Sequence, residues 1–262
     1  MAFSLAELGK RKKGTVQRVP VIESAKGPET KLRTILRRML KASAKEVREG
    51  VIPAFQREQK MFTDEPRDWF SNLRSLQASL VRAATSQMEE LVLLEAARHT
   101  DAWARSVKAA LSIDIAGVIR REDLGRELQV IVARNTGLIR SLSDDTVKSV
   151  EQAVLRNASS GRGVTELRRE LREKFGLLDN RAKLIARDQK AKTIAEFNRA
   201  RRQQAGITEY TWRTSRDERV RALHASLEGN VYKYGERTGA EEGLPPGGPI
   251  NCRCTAEAIV RF

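Results

Sequence analysis

Cysteine, histidine and aromatic residues are scarce in this chain of 262 residues, which has two cysteines, two histidines and 5% aromatics. Two cysteines cannot form the disulfide framework of a small secreted domain, so that class of protein is excluded. Because aromatics are few, a core must rest on leucine, isoleucine, valine and alanine. Such a composition suits long, partly exposed helices better than a sheet of many strands.

Long apolar runs and the common catalytic motifs are also absent from the sequence. No run approaches the roughly 18 apolar residues that span a bilayer, and residues 1–20 lack the apolar stretch of a secretory signal. There is no glycine-rich loop followed by lysine, no His-Glu-x-x-His helix and no acidic cluster for two nuclease metals. We therefore expect no membrane partner, no enzymatic activity and a cytoplasmic setting.

Positive charge is abundant, with a formal net charge of +15 and a pI near 10.2. An excess of this size indicates contact with a polyanion, and a solubilising surface is the alternative. Residues 1–27 carry the cluster Lys10-Arg11-Lys12-Lys13 and have no sustained apolar period. They are predicted to be a basic, flexible arm that binds nucleic acid or an acidic protein surface, or else a solvated tail.

Apolar residues at helical spacing predict two long helices after the arm. The first begins near Pro28–Glu29 and is ended or bent by Pro53. The second begins at Thr63 or Asp64 and extends to about Leu111. Its predicted inward face consists of Leu73, Leu76, Leu80, Ala84, Met88, Leu91 and Val92. His99, on the same helix beside Trp103, is interpreted as a surface or packing histidine.

Further helices are predicted up to residue 205. They cover residues 121–140, a helix capped by Ser143-Asp-Asp, a shorter one around Val164–Phe175, and a basic one from Asn180 that Gly206 ends. The fold class is therefore mainly α, a helical bundle or hairpin, with a small C-terminal α+β module. We divide the chain into the arm 1–27, a helical domain 28–160 and the module 161–262.

The residue pattern changes after Gly206, where β-forming residues become frequent. Short strands are predicted after Ile207, at Val231–Tyr234 and at Cys254–Val260. Ser215 with Glu218 three residues later makes a capping box, which predicts a helix up to about Leu227.

Asp217, Arg221 and His224, spaced at i, i+4 and i+7, share one face of this predicted helix. If that face meets the Cys252-Arg-Cys254 turn, Asp217, His224 and the two cysteines can hold a structural zinc. The alternative is that Asp217 favours the helix N-terminus or pairs with Arg221, and that both cysteines are core residues. This alternative is preferred, because the cysteine spacing is C-x-C and not C-x-x-C; no other cofactor is predicted.

Two further interpretations concern chemistry at the same stretch. One makes Cys252 or Cys254 a nucleophile with His224 as its base, in a thiol-dependent or nucleic-acid-processing hydrolase. The other places nucleic-acid contacts on cations near Trp212 and on the arm, or else a solvated basic face. The cations are Lys10, Arg11, Lys12, Lys13, Arg213, Arg216 and Arg219.

Taken together, the motifs of residues 160–260 resemble the phage Mu F-like minor head proteins, also called the phage head morphogenesis family. The matching pieces are Ala186-Arg-Asp-Gln189, Gly206 to Ser215, Asp217 to Arg221 with His224, Leu227 to Val231, the Pro245-Pro-Gly247 loop, and Ile250-Asn-Cys-Arg-Cys254. Some members have His-Pro immediately before Asn-Cys-Arg-Cys, where this chain has Pro249-Ile250.

The resemblance implies a minor structural protein of a tailed-phage head, made in the host cytoplasm and incorporated during assembly. It would lie at the portal vertex and the capsid interior. Its expected partners are the portal protein, the major capsid or scaffold protein, and double-stranded DNA bound without sequence preference. The charge of +15 fits that position, since neutralising phosphates releases counterions.

Overall fold

The computed structural model describes residues 3–9, 12–25, 27–60, 69–119 and 121–262. The α-helices are α1 (Leu5–Leu8), α2 (Gly27–Glu46), α3 (Ile52–Lys60), α4 (Ser71–Leu111), α5 (Gly125–Ser159), α6 (Val164–Gln204) and α7 (Ala222–Ala225). The strands are β1 (Val16–Val19), β2 (Glu209–Arg213), β3 (Val231–Lys233) and β4 (Thr255–Arg261). The predicted class, mainly α with a small α+β module, is confirmed.

The chain forms two compact units, each assembled from separated segments. The unit that holds the β-sheet comprises Met1–Pro28, Val92–Ile131 and Arg187–Phe262, and we call it the sheet unit. The other comprises Glu29–Leu91 and Val132–Ala186, and we call it the helical unit. The three-part division at residues 27 and 160 stays a prediction. Within the described ranges, no helix has the length and apolarity that a membrane span needs.

The helical unit is packed around an aliphatic and aromatic cluster. Its buried members are Val47, Val51, Ile52, Phe55, Phe70, Leu73, Val150, Ala153, Val154, Leu167 and Leu171. Leu73, Ala84 and Met88 of the predicted face are buried. Gln77 adds a polar contact inside this unit, donating to Ser43 Oγ at 2.7 Å and accepting from Ser143 Oγ at 2.9 Å.

The first helix does not end at Pro53. A π-helical turn at Val47–Val51 joins α2 directly to α3. Proline has no N–H to donate and its ring crowds the carbonyl four residues earlier, which is here that of Glu49. The wider π turn relieves that crowding while the helix continues. The predicted start of the next helix, at Thr63 or Asp64, lies outside the described residues.

Two predicted helix breaks are wrong. The prediction that Ser143-Asp-Asp starts a new helix fails because α5 continues through it, with Ser143 bonded to Gln77 and Asp145 paired with Arg181. These side chains bond to neighbouring helices and do not cap a helix start. The break expected at Gly176 is also absent from α6, where this glycine is exposed. The break predicted between α5 and α6 is confirmed.

The sheet unit contains a four-stranded antiparallel sheet in the order β1-β4-β2-β3. All three strands predicted after Gly206 are present as β2, β3 and β4. Strand β1 was not predicted, because it lies in the segment interpreted as an arm. It pairs with β4 from Val16 opposite Arg261 to Val19 opposite Ala258.

Gly206 ends α6 as predicted. It has a φ of +73°, which favours glycine. The N–H of Ile207 bonds to the Arg202 carbonyl at 2.9 Å, and that of Gly206 bonds to the Gln203 carbonyl at 3.1 Å. This is the Schellman arrangement, which satisfies the last carbonyls of a helix and turns the chain into the next strand.

Candidate functional site

The Cys252-Arg-Cys254 turn is held against α6 by polar side chains of that helix. Asp188, which is buried, accepts a hydrogen bond from the backbone N–H of Asn251 at 2.9 Å. Arg187 donates to the side-chain oxygen of the same asparagine at 2.8 and 3.1 Å. Asn251 has a φ of +58°, a conformation that asparagine tolerates better than most residues. Two motif pieces that are 63 residues apart in sequence are therefore in contact.

The segment before α7 is not the helix that the capping box predicted. Only Ala222–Ala225 are helical, and Arg216 has a φ of +54°. Other carboxylates hold the chain in a turn here: that of Asp217 accepts from the Arg219 backbone N–H at 3.0 Å. Glu228 accepts from the Thr214 backbone N–H and from Arg216. Side-chain bonds to the backbone favour turns over helix here.

Helix α7 places His224 beside the two cysteines. The Nδ1 atom of His224 lies 3.6 Å from Cys252 Sγ and 3.6 Å from Cys254 Sγ. All three donor atoms lie within 4.8 Å of one another, and all three residues are buried. Among the residues that the structure describes, this is the one group of three or more metal-ligating side chains so closely placed. The ring of Trp212 packs against His224 edge-on, 5.5 Å between centroids.

Glu241 orients the histidine from the other side. Its carboxylate lies 2.6 Å from His224 Nε2 and also pairs with Arg221 at 3.4 Å. The hydrogen bond from His224, together with the Arg221 charge, holds the pKa of Glu241 below its usual range. An ionised carboxylate at Nε2 keeps the proton on that nitrogen and leaves the Nδ1 lone pair directed at the sulfurs.

The two thiols influence each other directly. A hydrogen bond from Cys254 lowers the pKa of Cys252 to about 6, which outweighs the opposing effect of burial. The same contact and burial raise the pKa of Cys254. Of these two buried thiols, Cys252 is therefore the more acidic.

Asp217, the fourth predicted ligand, is not brought into this group. Its carboxylate accepts two hydrogen bonds from the Arg253 guanidinium, one of 2.6 Å. That bond with Arg253 is the largest cause that lowers the pKa of Asp217. The ion pair fastens the residue between the two cysteines to the turn before α7. Asp217 thus stabilises the same turn that carries the thiols.

The residues predicted to contact nucleic acid have different surroundings. Lys10 and Arg11 lie outside the described residues, while Lys12 and Lys13 are exposed. Arg213 pairs with Glu257 at 2.8 Å, and the hydrogen bond to that glutamate raises the pKa of Arg213. In contrast, the side chains of Arg216 and Arg219 are each 73% exposed, although both lie near glutamates.

Several residues of the site were missed by the sequence interpretation. Glu241 gave no signal, because it lies in a Gly- and Pro-rich loop 17 residues after the histidine that it contacts. The sequence interpretation includes Asp188 only as one residue of the Ala186-Arg-Asp-Gln189 motif and assigns it no contact. His99, in contrast, is a packing residue as one interpretation had it: burial lowers its pKa to about 3.

Comparison with known proteins gives a match to a family model and a relative that is longer than this chain. Residues 148–257 match the family model described as "Phage Mu protein F like protein". An uncharacterized protein of Haemophilus influenzae (strain ATCC 51907 / DSM 11121 / KW20 / Rd) is 26% identical over 265 residues, which covers 97% of this chain. The chain spans 58% of the length of that relative. No solved structure matches.

Proposed function

Because residues 148–257 match the model of the Phage Mu protein F-like family, we propose that the chain is a minor head protein acting in phage head morphogenesis. The observation that carries the proposal is this match, which includes every segment of the candidate site. Asp188 contacts Asn251, and His224 contacts both cysteines. These motif residues therefore all pack at one turn, that of Cys252-Arg-Cys254.

Within this function, we propose that the chain lies at the portal vertex or the capsid interior and contacts portal, major capsid or scaffold protein. Two features support a docking role. The long helices α4, α5 and α6 provide extended surfaces, and several large apolar side chains on them are exposed. These are Leu93, Leu94, Val130, Leu155, Leu177 and Leu184.

Particle composition tests this location. Purified heads of a phage that encodes the chain should contain it in a fixed copy number, and cryo-electron microscopy should show density for it at the portal or inner shell. Heads that assemble normally without any copies at these positions would refute the proposed location. Lysates in which the gene is deleted should accumulate defective heads.

Contact with packaged DNA is a separate part of the proposal, supported by the net charge of +15. Binding dominated by phosphates weakens steeply as salt rises. In a plot of log affinity against log salt concentration, the slope steepens by roughly one unit for each phosphate contact. The double variant Lys12→Ala/Lys13→Ala should lower that slope by about 2. Lys45→Ala, whose side chain is 68% exposed in the helical unit, serves as the control and should leave it unchanged. A flat salt dependence of the wild type would contradict the proposal.

The hydrolase alternative has weaker support. Its nucleophile would be Cys252 or Cys254, which are only 3% and 5% exposed, so a substrate carbonyl has little access to either sulfur. A non-enzymatic role therefore fits the geometry better. Incubation with nucleic acids and divalent metals tests this choice, since activity that disappears in a folded His224→Ala variant would favour the hydrolase.

A further inference from the structure

We propose that His224 Nδ1, Cys252 Sγ and Cys254 Sγ bind one zinc ion, which fixes the turn before β4 onto α7. The site goes beyond the proposed function and does not depend on where the protein acts. It rests on the positions of three buried donor atoms from two segments of the sheet unit.

The distances between the donors fit a tetrahedral zinc ion. With Zn–S near 2.3 Å and Zn–N near 2.05 Å, a tetrahedral angle separates nitrogen from sulfur by about 3.6 Å. Both nitrogen–sulfur distances in the structure are 3.6 Å. The third side of the triangle, between the sulfurs, also lies below 4.8 Å. The two nitrogen–sulfur distances are therefore those expected around the ion, and the sulfur–sulfur bound is compatible with it.

Hydrogen bonding among the three side chains accounts less well for this arrangement. With its Nε2 proton directed at Glu241, the imidazole offers a single lone pair at Nδ1. One S–H group can donate to that lone pair and the other thiol can bond to the first, so hydrogen bonding does not require both sulfurs to lie 3.6 Å from Nδ1. A cation between the three atoms satisfies all of them at once.

The neighbouring carboxylate is the partner that zinc-bound histidines usually have. Metal-ligating imidazoles donate their other N–H to a carboxylate, carbonyl or water, which fixes the ring and raises the basicity of the ligating nitrogen. Glu241 occupies that position at 2.6 Å from Nε2. Its second oxygen pairs with Arg221, which also donates to the Ile250 carbonyl at 2.6 Å. The orienting carboxylate is thus itself held in place.

The donor set selects zinc among the common divalent ions. Thiolate sulfur and imidazole nitrogen suit zinc, whereas magnesium and calcium prefer oxygen ligands and magnesium retains several waters. Two thiolates also neutralise the ion's double charge, so that its burial carries little electrostatic cost. The three residues supply three of four corners, and a water molecule can supply the fourth.

X-ray absorption on the full wild-type chain tests the proposal without any variant. The protein is purified with both thiols reduced, treated with a chelator, and returned to one equivalent of zinc. We expect one bound zinc per chain, with two sulfurs at about 2.3 Å and one imidazole nitrogen at about 2.0–2.1 Å. Binding of less than one equivalent, or a shell without two sulfurs, would overturn the assignment.

Cobalt(II) titration then assigns the ligands. The wild type should develop the visible bands of tetrahedral cobalt and the ultraviolet charge-transfer band of bound thiolate. Each of Cys252→Ser, Cys254→Ser and His224→Gln should weaken binding strongly and change these spectra. Unchanged spectra and affinity in a folded double variant lacking both thiols would refute the site. If the variants do not fold, the absorption data on the wild type decide the question.

Asp217 and Glu241 form a matched pair, because both are carboxylates that bond to a residue of the site, Asp217 to Arg253 and Glu241 to His224. Glu241→Gln should weaken metal binding about 10- to 100-fold by disturbing the orientation of the imidazole. Asp217→Asn should keep one equivalent of zinc with unchanged sulfur and nitrogen distances, since its carboxylate bonds to Arg253. Loss of zinc in a folded Asp217→Asn protein would contradict the three-residue assignment.

Discussion

The two compact units differ in what they bury. Among the described residues, every buried ionisable side chain belongs to the sheet unit: Glu95, His99, Asp188, Arg201, Arg202, Tyr210, His224, Cys252 and Cys254. The buried polar side chains of the helical unit are neutral, such as Gln77 and Ser143. Both units have an apolar core, but only the sheet unit adds buried ionisable side chains and sulfurs to it.

This difference explains what the sequence could predict. The helical unit follows a 3.6-residue period, and that period identified buried residues such as Leu73 and Met88 correctly. In the sheet unit, the partners are far apart in sequence. Arg202 bonds to the Ala256 carbonyl and to the Tyr234 hydroxyl, and Asn198 bonds to both backbone groups of Ile22. No local pattern predicts such pairs.

The largest expected effect comes from removing a buried aromatic ring in each unit. Trp212→Ala and Phe55→Ala should each cost about 3–5 kcal/mol of unfolding free energy, because both rings are almost fully buried. Only Trp212→Ala should also weaken zinc binding, since Trp212 packs on His224. Denaturant unfolding and cobalt titration measure the two effects. Equal loss of metal binding in both variants would remove the distinction between the units.

The next effect is a pH dependence that the sheet unit should show. Burial, with further contributions from Arg201, Arg202 and Arg98, lowers the pKa of His99 to about 3 from an ordinary value of 6.5. The unfolded chain therefore takes up a proton below pH 6.5 that the folded chain does not accept. Stability should fall as pH decreases through this range, by about 2 kcal/mol between pH 6.5 and 5.

His99→Gln measures that contribution. The variant has no titratable group at this position, so its unfolding free energy should decline less than that of the wild type over the same pH range. Denaturant titrations at pH 6.5, 6 and 5 provide the comparison. Parallel declines in the two proteins would show that His99 does not carry the pH dependence.

The smallest expected effect on the free energy of unfolding comes from replacing one glycine by alanine in each unit. The sign of the effect should differ between the two units. Gly206→Ala should destabilise by about 1–2 kcal/mol, because φ is +73° and a new Cβ would lie 3.3 Å from the Phe3 carbonyl oxygen. Gly176→Ala should stabilise by about 0.5–1 kcal/mol, since this glycine lies inside α6 with open space around it. Thermal unfolding measures both, and a shared sign would contradict the comparison.

The site was predictable in its residues but not in its geometry. The stretch around His224, Cys252 and Cys254 was identified from the scarcity of these residue types. The helical face that was expected to align Asp217 with His224 does not form, because side chains bond to the turn backbone. The carboxylate that contacts the histidine comes instead from the 3₁₀ turn Glu241–Gly243, which the sequence interpretation treated as loop.

Hydrogen exchange with and without zinc tests most directly the claim that a metal organises the sheet unit's C-terminal turn. After chelation, the reduced chain should exchange faster at residues 222–225 and 245–256, and one equivalent of zinc should restore protection there. Residues 47–55, in the core of the helical unit, should exchange at the same rate in both states. Unchanged protection around His224 and the two cysteines, or an equal change in both units, would contradict this account.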